Sequence, residues 1–117
     1  MAEKYQFYGQ TTFIDRPVNT VIKDFQNTYV QNSGEKREIL QQLQTLIELL
    51  LRSTDLSQAD KQEAVTAVHD VAGQIKEKKG TKLSWRGTLS AVREAAAGAA
   101  DIAKPVAELV SVISGLL

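Results

Sequence analysis

Aromatic and leucine side chains occupy opposite ends of this 117-residue chain. Six of the seven aromatic residues lie within the first thirty positions, and only Trp85 comes later. Leucine is absent before Leu40 and frequent from there to Leu117. Aromatic and β-branched side chains favour strands, whereas leucine favours helices. The chain is therefore predicted to join a strand-forming segment to a helical segment near Ser33.

The segment before Ser33 is predicted to form a β-hairpin or a small meander. Tyr5 and Phe7 alternate with polar residues, which is the period of a strand. Pro17 interrupts this pattern because proline cannot donate to a strand ladder. The residues after it also fit a helix over positions 18–30, since an apolar side chain recurs every three or four positions. That set comprises Val18, Val21, Ile22, Phe25 and Tyr29.

The leucine-rich part is predicted to form three or four antiparallel helices. Apolar residues recur at helical spacing over positions 35–52, 57–79 and 83–116. Pro105 is expected either to divide the last stretch into two helices, 83–100 and 103–116, or to kink a single helix. Short connections between the helices favour antiparallel neighbours.

The length of the chain fits a single domain, residues 1–117, with a β-prone part over 1–32 and a helical part over 34–117. The predicted fold class is α+β: an N-terminal β-hairpin or small meander followed by three to four antiparallel helices. A lone hairpin is marginally stable, so it must pack on the helices or pair with another chain.

Charge and cysteine content restrict the possible functions. Fourteen basic residues balance fourteen acidic ones, so no net field attracts nucleic acid and no nucleic-acid partner is expected. The chain has no cysteine, which excludes disulfides and thiolate metal ligands. The first ten residues lack the apolar run of a signal peptide, so a cytoplasmic location is predicted.

Catalytic and metal-binding patterns do not stand out in this sequence. His69 is the only histidine, and it is expected to occupy a solvated position on the second predicted helix. A nucleophilic site would need a hydroxyl held against this imidazole, and the chain has no Gly-x-Ser-x-Gly sequence. The glycines are isolated and form no phosphate-binding run. We therefore predict a protein that is not an enzyme and binds no cofactor or metal.

The C-terminal stretch predicts an amphipathic helix. Asp101, Lys104 and Glu108 recur at helical spacing and share one face, opposite an apolar face. Three charges are costly inside a bilayer, so packing on the chain's own core or on a second subunit is favoured. The alternative is a membrane-active helical protein acting through residues 83–117. A basic run precedes and overlaps that stretch: Lys76, Lys78, Lys79, Lys82 and Arg86, with Trp85 inside it.

One resemblance covers most of the chain in outline. Tyr5-Gln6-Phe7-Tyr8-Gly9, followed by Pro17-Val18 and a polar β-prone run ahead of a Leu/Gln-rich helix, resembles a module of cyanobacterial-type multidomain proteins. In those proteins the module accompanies pentapeptide-repeat or STAND-type signalling regions. The resemblance implies a non-catalytic accessory or assembly module.

The predicted function is a non-enzymatic protein–protein interaction or self-assembly module. Its expected partner is a second copy of the chain or another protein, because the short aromatic segment cannot bury six rings by itself. The residues predicted to carry the interaction are Tyr5, Phe7, Phe13, Val18, Phe25, Tyr29, Leu109 and Ile113.

Overall fold

The computed structural model describes residues 16–31 and 34–117, and all regular structure in this part of the chain is helical. The described residues form five α-helices: α1 Val18–Phe25, α2 Arg37–Arg52, α3 Gln58–Glu77, α4 Lys82–Ala96 and α5 Ala103–Leu116. A π-helical turn, Gln26–Val30, extends α1, and a short 3-10 turn, Gly34–Lys36, precedes α2.

Helices α2 to α5 form an antiparallel four-helix bundle in which each helix packs on two neighbours. The C-terminal end of α2 lies beside the start of α5, because Ser53 Oγ donates to Asp101 Oδ1 at 2.8 Å. The start of α4 lies beside the end of α5, where an Arg86 side-chain N–H donates to the Ser114 carbonyl at 3.3 Å. Helix α1 packs on α2 from outside this ring, and its π-helical turn reaches both α2 and α3.

The predicted α+β fold is wrong for the part of the chain that the structure describes. Positions 18–30 form α1 and its π-helical extension, so the helical alternative for this segment is confirmed. Val21, Phe25 and Val30 are buried against the bundle. Their burial outweighs the strand preference of β-branched and aromatic residues, which is a weak local effect. The earlier part of the predicted hairpin lies outside the described residues.

The helical predictions after residue 34 are confirmed. Ser57 caps α3, since its hydroxyl accepts from the Asp60 N–H at 3.1 Å. The last stretch is two helices, and Pro105 is the third residue of α5. Proline is tolerated in the first turn of a helix because the N–H groups there have no intrahelical acceptor. A connection over residues 97–102 therefore separates α4 from α5.

Helix α2 is the central element of the core. Six of its sixteen residues are buried, which explains why leucine is so frequent in this helix. These residues are Leu40, Leu43, Leu46, Ile47, Leu50 and Leu51. They point to several sides of the helix, because α2 is covered by α1, α3 and α5. All five helices contribute buried apolar side chains to one cluster.

The turn between α3 and α4 depends on two residues with positive φ. Lys78 ends α3 in the left-handed conformation at φ 61°, and Gly80 follows at φ 78°. Trp85 Nε1 donates to Gln74 Oε1 at 3.0 Å across this turn. A Cβ on Gly80 would lie 2.7 Å from that oxygen and 3.0 Å from that nitrogen. Gly80 therefore allows both the backbone conformation and the hydrogen bond.

Alanine in place of glycine is expected to have opposite effects at two positions of this hairpin. Gly80→Ala should lower the free energy of unfolding by about 2 kcal/mol, through positive φ and the displaced hydrogen bond. Gly87 lies inside α4 with open space around its missing Cβ, so Gly87→Ala should raise stability by about 0.5–1 kcal/mol. Urea unfolding of both variants measures the two changes in unfolding free energy. Changes of the same sign would contradict the described turn.

Candidate interaction surfaces

An aromatic cluster joins α1 and its extension to α3. The ring of His69 lies 5.2 Å from the Phe25 ring and 5.7 Å from the Tyr29 ring, edge-on in both cases. Phe25 and Tyr29 also contact each other, with ring centroids 4.8 Å apart. The expectation that His69 is solvated is therefore wrong, because residues 18–30 fold as a helix that covers it.

Burial changes the acid–base properties of this cluster. Burial lowers the pKa of His69 to about 4, and the positive charge of Arg16 is the second, smaller cause. Burial raises the pKa of Tyr29, and the carboxylates of Asp70 and Glu77 act in the same direction. His69 is thus neutral in the folded protein near neutral pH and serves as a packing residue.

The residues predicted to carry the interaction fall in three environments. Phe25 and Ile113 are fully buried within the chain. Val18, Tyr29 and Leu109 are half-buried and pack against the core. The other three, Tyr5, Phe7 and Phe13, lie outside the described residues. Leu109 also lines a surface groove, and the role of the whole set stays a prediction.

An apolar strip runs along the junction of α2 and α5, and we call it the α2–α5 strip. It consists of Leu49, Pro105, Leu109, Val112 and Leu116. Val112 is 51% exposed and Leu116 is 37% exposed, which places both among the few large apolar side chains left in water. A shallow groove of about 270 Å³ lies in the strip, with Thr45 and Glu108 at its borders.

Sequence reasoning missed Val112. The apolar face predicted for the C-terminal helix comprises Ile102, Val106, Leu109, Ile113 and Leu116, and three of these, Ile102, Val106 and Ile113, are buried. Helical spacing places Val112 in one row with Leu109 and Leu116 of that face, because these residues recur at three and four positions. This row lies at the border of the buried face and continues onto α2.

A larger groove of about 540 Å³ separates the outer faces of α3 and α4. Small side chains form most of its walls: Ala64, Ala67, Ser84, Gly87, Ala91 and Ala95. Their size explains the groove, because two helices with small facing residues leave a furrow that longer side chains would fill. Glu63 is the charged residue along its wall.

Polar contacts connect two loops at one end of the bundle. The Asp101 carboxylate accepts from the Ser53 hydroxyl and from the Thr54 N–H, each at 2.8 Å. The Asp101 N–H in turn donates to Asp55 Oδ2 at 3.0 Å. The Thr54 N–H contributes most to lowering the pKa of Asp101. Every group has a structural partner, so we interpret this network as a clamp between the loops.

The described part of the chain contains neither a grouped metal-ligand set nor a membrane-spanning helix. Over residues 16–31 and 34–117, no three histidine or carboxylate side chains are grouped so that they could hold a metal ion. None of the helices described there is both long enough and apolar enough to cross a bilayer. No family model matches the chain, and neither a curated protein nor a solved structure matches it.

Proposed function

We propose that this chain is a non-enzymatic interaction module that self-associates through the α2–α5 strip. The observation that carries the proposal is the exposure of Val112 and Leu116 beside half-buried Leu49 and Leu109. Burying such a strip against a second apolar surface removes it from water, which contributes about 25 cal/mol for each Å² of apolar area. A contiguous apolar surface rimmed by polar residues is typical of an interaction site.

The charge balance of the whole chain is compatible with a second copy as the partner. Fourteen basic and fourteen acidic residues give no net charge, so two copies do not repel each other. On the α2 side, Arg52 forms an ion pair with Glu48 at 3.2 Å, which leaves neither charge uncompensated. A twofold arrangement would place the same strip on both copies face to face. The resemblance to accessory modules of signalling proteins also implies an assembly role.

The amphipathic character of α5 is better explained by packing than by lipid binding. Val106 and Ile113, on the face that would have entered a bilayer, are fully buried in the bundle. This observation favours interaction with protein over a membrane role for that face of α5. The other candidate partner is a different protein with a complementary apolar surface. A purified chain that stays monomeric would point to that partner.

Light scattering coupled to size-exclusion chromatography tests the proposal. We expect the mass of the full chain to rise with concentration toward that of a dimer. Val112→Glu places a charge in the strip and should weaken association at least about tenfold. Ser111→Glu is the matched control, since Ser111 is an exposed neighbour on another side of α5. A chain that stays monomeric at high concentration, or equal effects of both variants, would overturn self-association.

A further inference from the structure

Basic residues are concentrated where α3 ends and α4 begins, and we call this region, residues 76–86, the α3–α4 tip. It holds five of the fourteen basic residues of the chain and one acidic residue, Glu77. The five are Lys76, Lys78, Lys79, Lys82 and Arg86, and all of them are exposed. A chain without net charge therefore carries a strongly positive region at one end of its bundle.

Most of this positive charge is not neutralised within the described residues. Lys79 pairs with Glu77 at 3.4 Å. Lys76 donates to the Thr28 carbonyl and Arg86 to the Ser114 carbonyl, which are neutral acceptors that leave the cationic charges in place. Five cations and one carboxylate leave a net charge of four on the tip.

Leu83 stands in the middle of this basic region. Its side chain is 81% exposed, the highest value among the large apolar residues left in water. It occupies the second position of α4, whereas Trp85, two residues later, turns inward and is buried. A lone exposed leucine is ordinary. An exposed leucine that is flanked in the chain by exposed lysines combines an apolar side chain with a cluster of positive charges.

We propose that the α3–α4 tip docks the chain onto an anionic lipid bilayer. The lysines and Arg86 contact the headgroups, and Leu83 enters the boundary with the acyl chains. Each basic residue near an anionic membrane strengthens binding roughly fivefold, and one apolar side chain adds to it. A nucleic acid or an acidic protein would also attract the cations, but the phosphate backbone of a nucleic acid would leave Leu83 in water. The α2–α5 strip is not involved.

The test is co-sedimentation of the full chain with phosphatidylcholine vesicles, with and without phosphatidylserine, at low and high salt. We expect binding that requires phosphatidylserine and falls with salt. The double variant Lys78→Gln/Lys82→Gln should weaken the partitioning about 25-fold. Leu83→Gln should weaken it about tenfold. The double variant Lys23→Gln/Lys104→Gln, which removes two exposed lysines elsewhere, should change it less than about twofold.

Circular dichroism of each variant checks that it is folded, which we expect because all of the substituted positions are exposed. Absence of binding to phosphatidylserine vesicles at low salt would overturn the proposal, as would equal binding to vesicles of phosphatidylcholine alone. The bilayer would be rejected if the lysine variant lost vesicle binding, Leu83→Gln kept it, and the chain bound duplex DNA as tightly as phosphatidylserine vesicles. The tip would then be a general site for polyanions. Val112→Glu should keep lipid binding, which separates this proposal from self-association.

Discussion

Replacing Phe25 with alanine is expected to lower the free energy of unfolding by about 3–4 kcal/mol. Phe25 has no exposed surface, and its ring contacts both Tyr29 and His69. The alanine variant would leave a cavity between α1 and the bundle that the surrounding helices cannot fully close. Equilibrium urea unfolding measures the change, with the slope of the transition checked for a two-state process.

The matched control for this substitution is Gln26→Ala. Gln26 is the next residue along the chain and is exposed, so its replacement should change stability by less than about 0.5 kcal/mol. A loss below about 1 kcal/mol for Phe25→Ala would mean that the segment is not held against the bundle. Such a result would remove the helical interpretation of residues 18–30.

Lowering the pH from about 7 to about 5 is expected to destabilise the protein by up to about 2 kcal/mol through His69 alone. The folded imidazole has a pKa of about 4, below its ordinary value of about 6.5. In that window the unfolded chain binds a proton that the folded chain does not. The stabilisation is complete above the ordinary pKa and is lost as the pH falls toward the folded value, by about 3 kcal/mol in all.

His69→Gln provides the comparison, because glutamine does not titrate. The charged groups around the cluster, Arg16 and Asp70, are the same in both proteins and cancel in the difference of the two pH profiles. The difference between the two unfolding free energies should be constant above about pH 6.5, and below it the His69 protein should lose up to about 2 kcal/mol relative to the variant by about pH 5. Parallel profiles for the two proteins would show that His69 is solvated in the folded state.

Most of the helical bundle could be predicted from the leucine-rich part of the sequence. Apolar residues in α2 and α3 recur at three and four positions, and caps such as Ser57 mark where helices begin. These signals are local, so the sequence contains them in full. Pro105 left two arrangements open, and the structure has the one in which proline occupies the first turn of α5.

The N-terminal part was harder because two local signals disagreed there. Residue preferences favoured strands, and the spacing of Val21, Phe25 and Tyr29 favoured a helix. Packing on the bundle favours the helix, because α1 and its extension lie against α2 and α3 and bury Phe25 there. This surface forms only when the bundle folds, so local patterns do not show it, and the β-hairpin predicted from them is wrong for positions 18–30.

The candidate surfaces could be predicted only in part, for a related reason. Spacing places Leu109 and Val112 on an apolar side of α5, but only the packing of α2 shows how much of each side chain stays in water. The basic run of the α3–α4 tip was visible in the sequence. The exposure of Leu83 and the burial of Trp85 were not, because they depend on how α4 starts after the Gly80 turn.

Isotope-filtered NMR on a mixture of labelled and unlabelled copies tests self-association through the α2–α5 strip most directly. Methyl groups of Val112 and Leu116 on a labelled copy should show nuclear Overhauser contacts to protons of Leu49 or Leu109 on an unlabelled copy. The same sample carrying Val112→Glu should lose these contacts and keep those within each copy. Intermolecular contacts from other surfaces only, or none at concentrations suited to NMR, would contradict the proposed function.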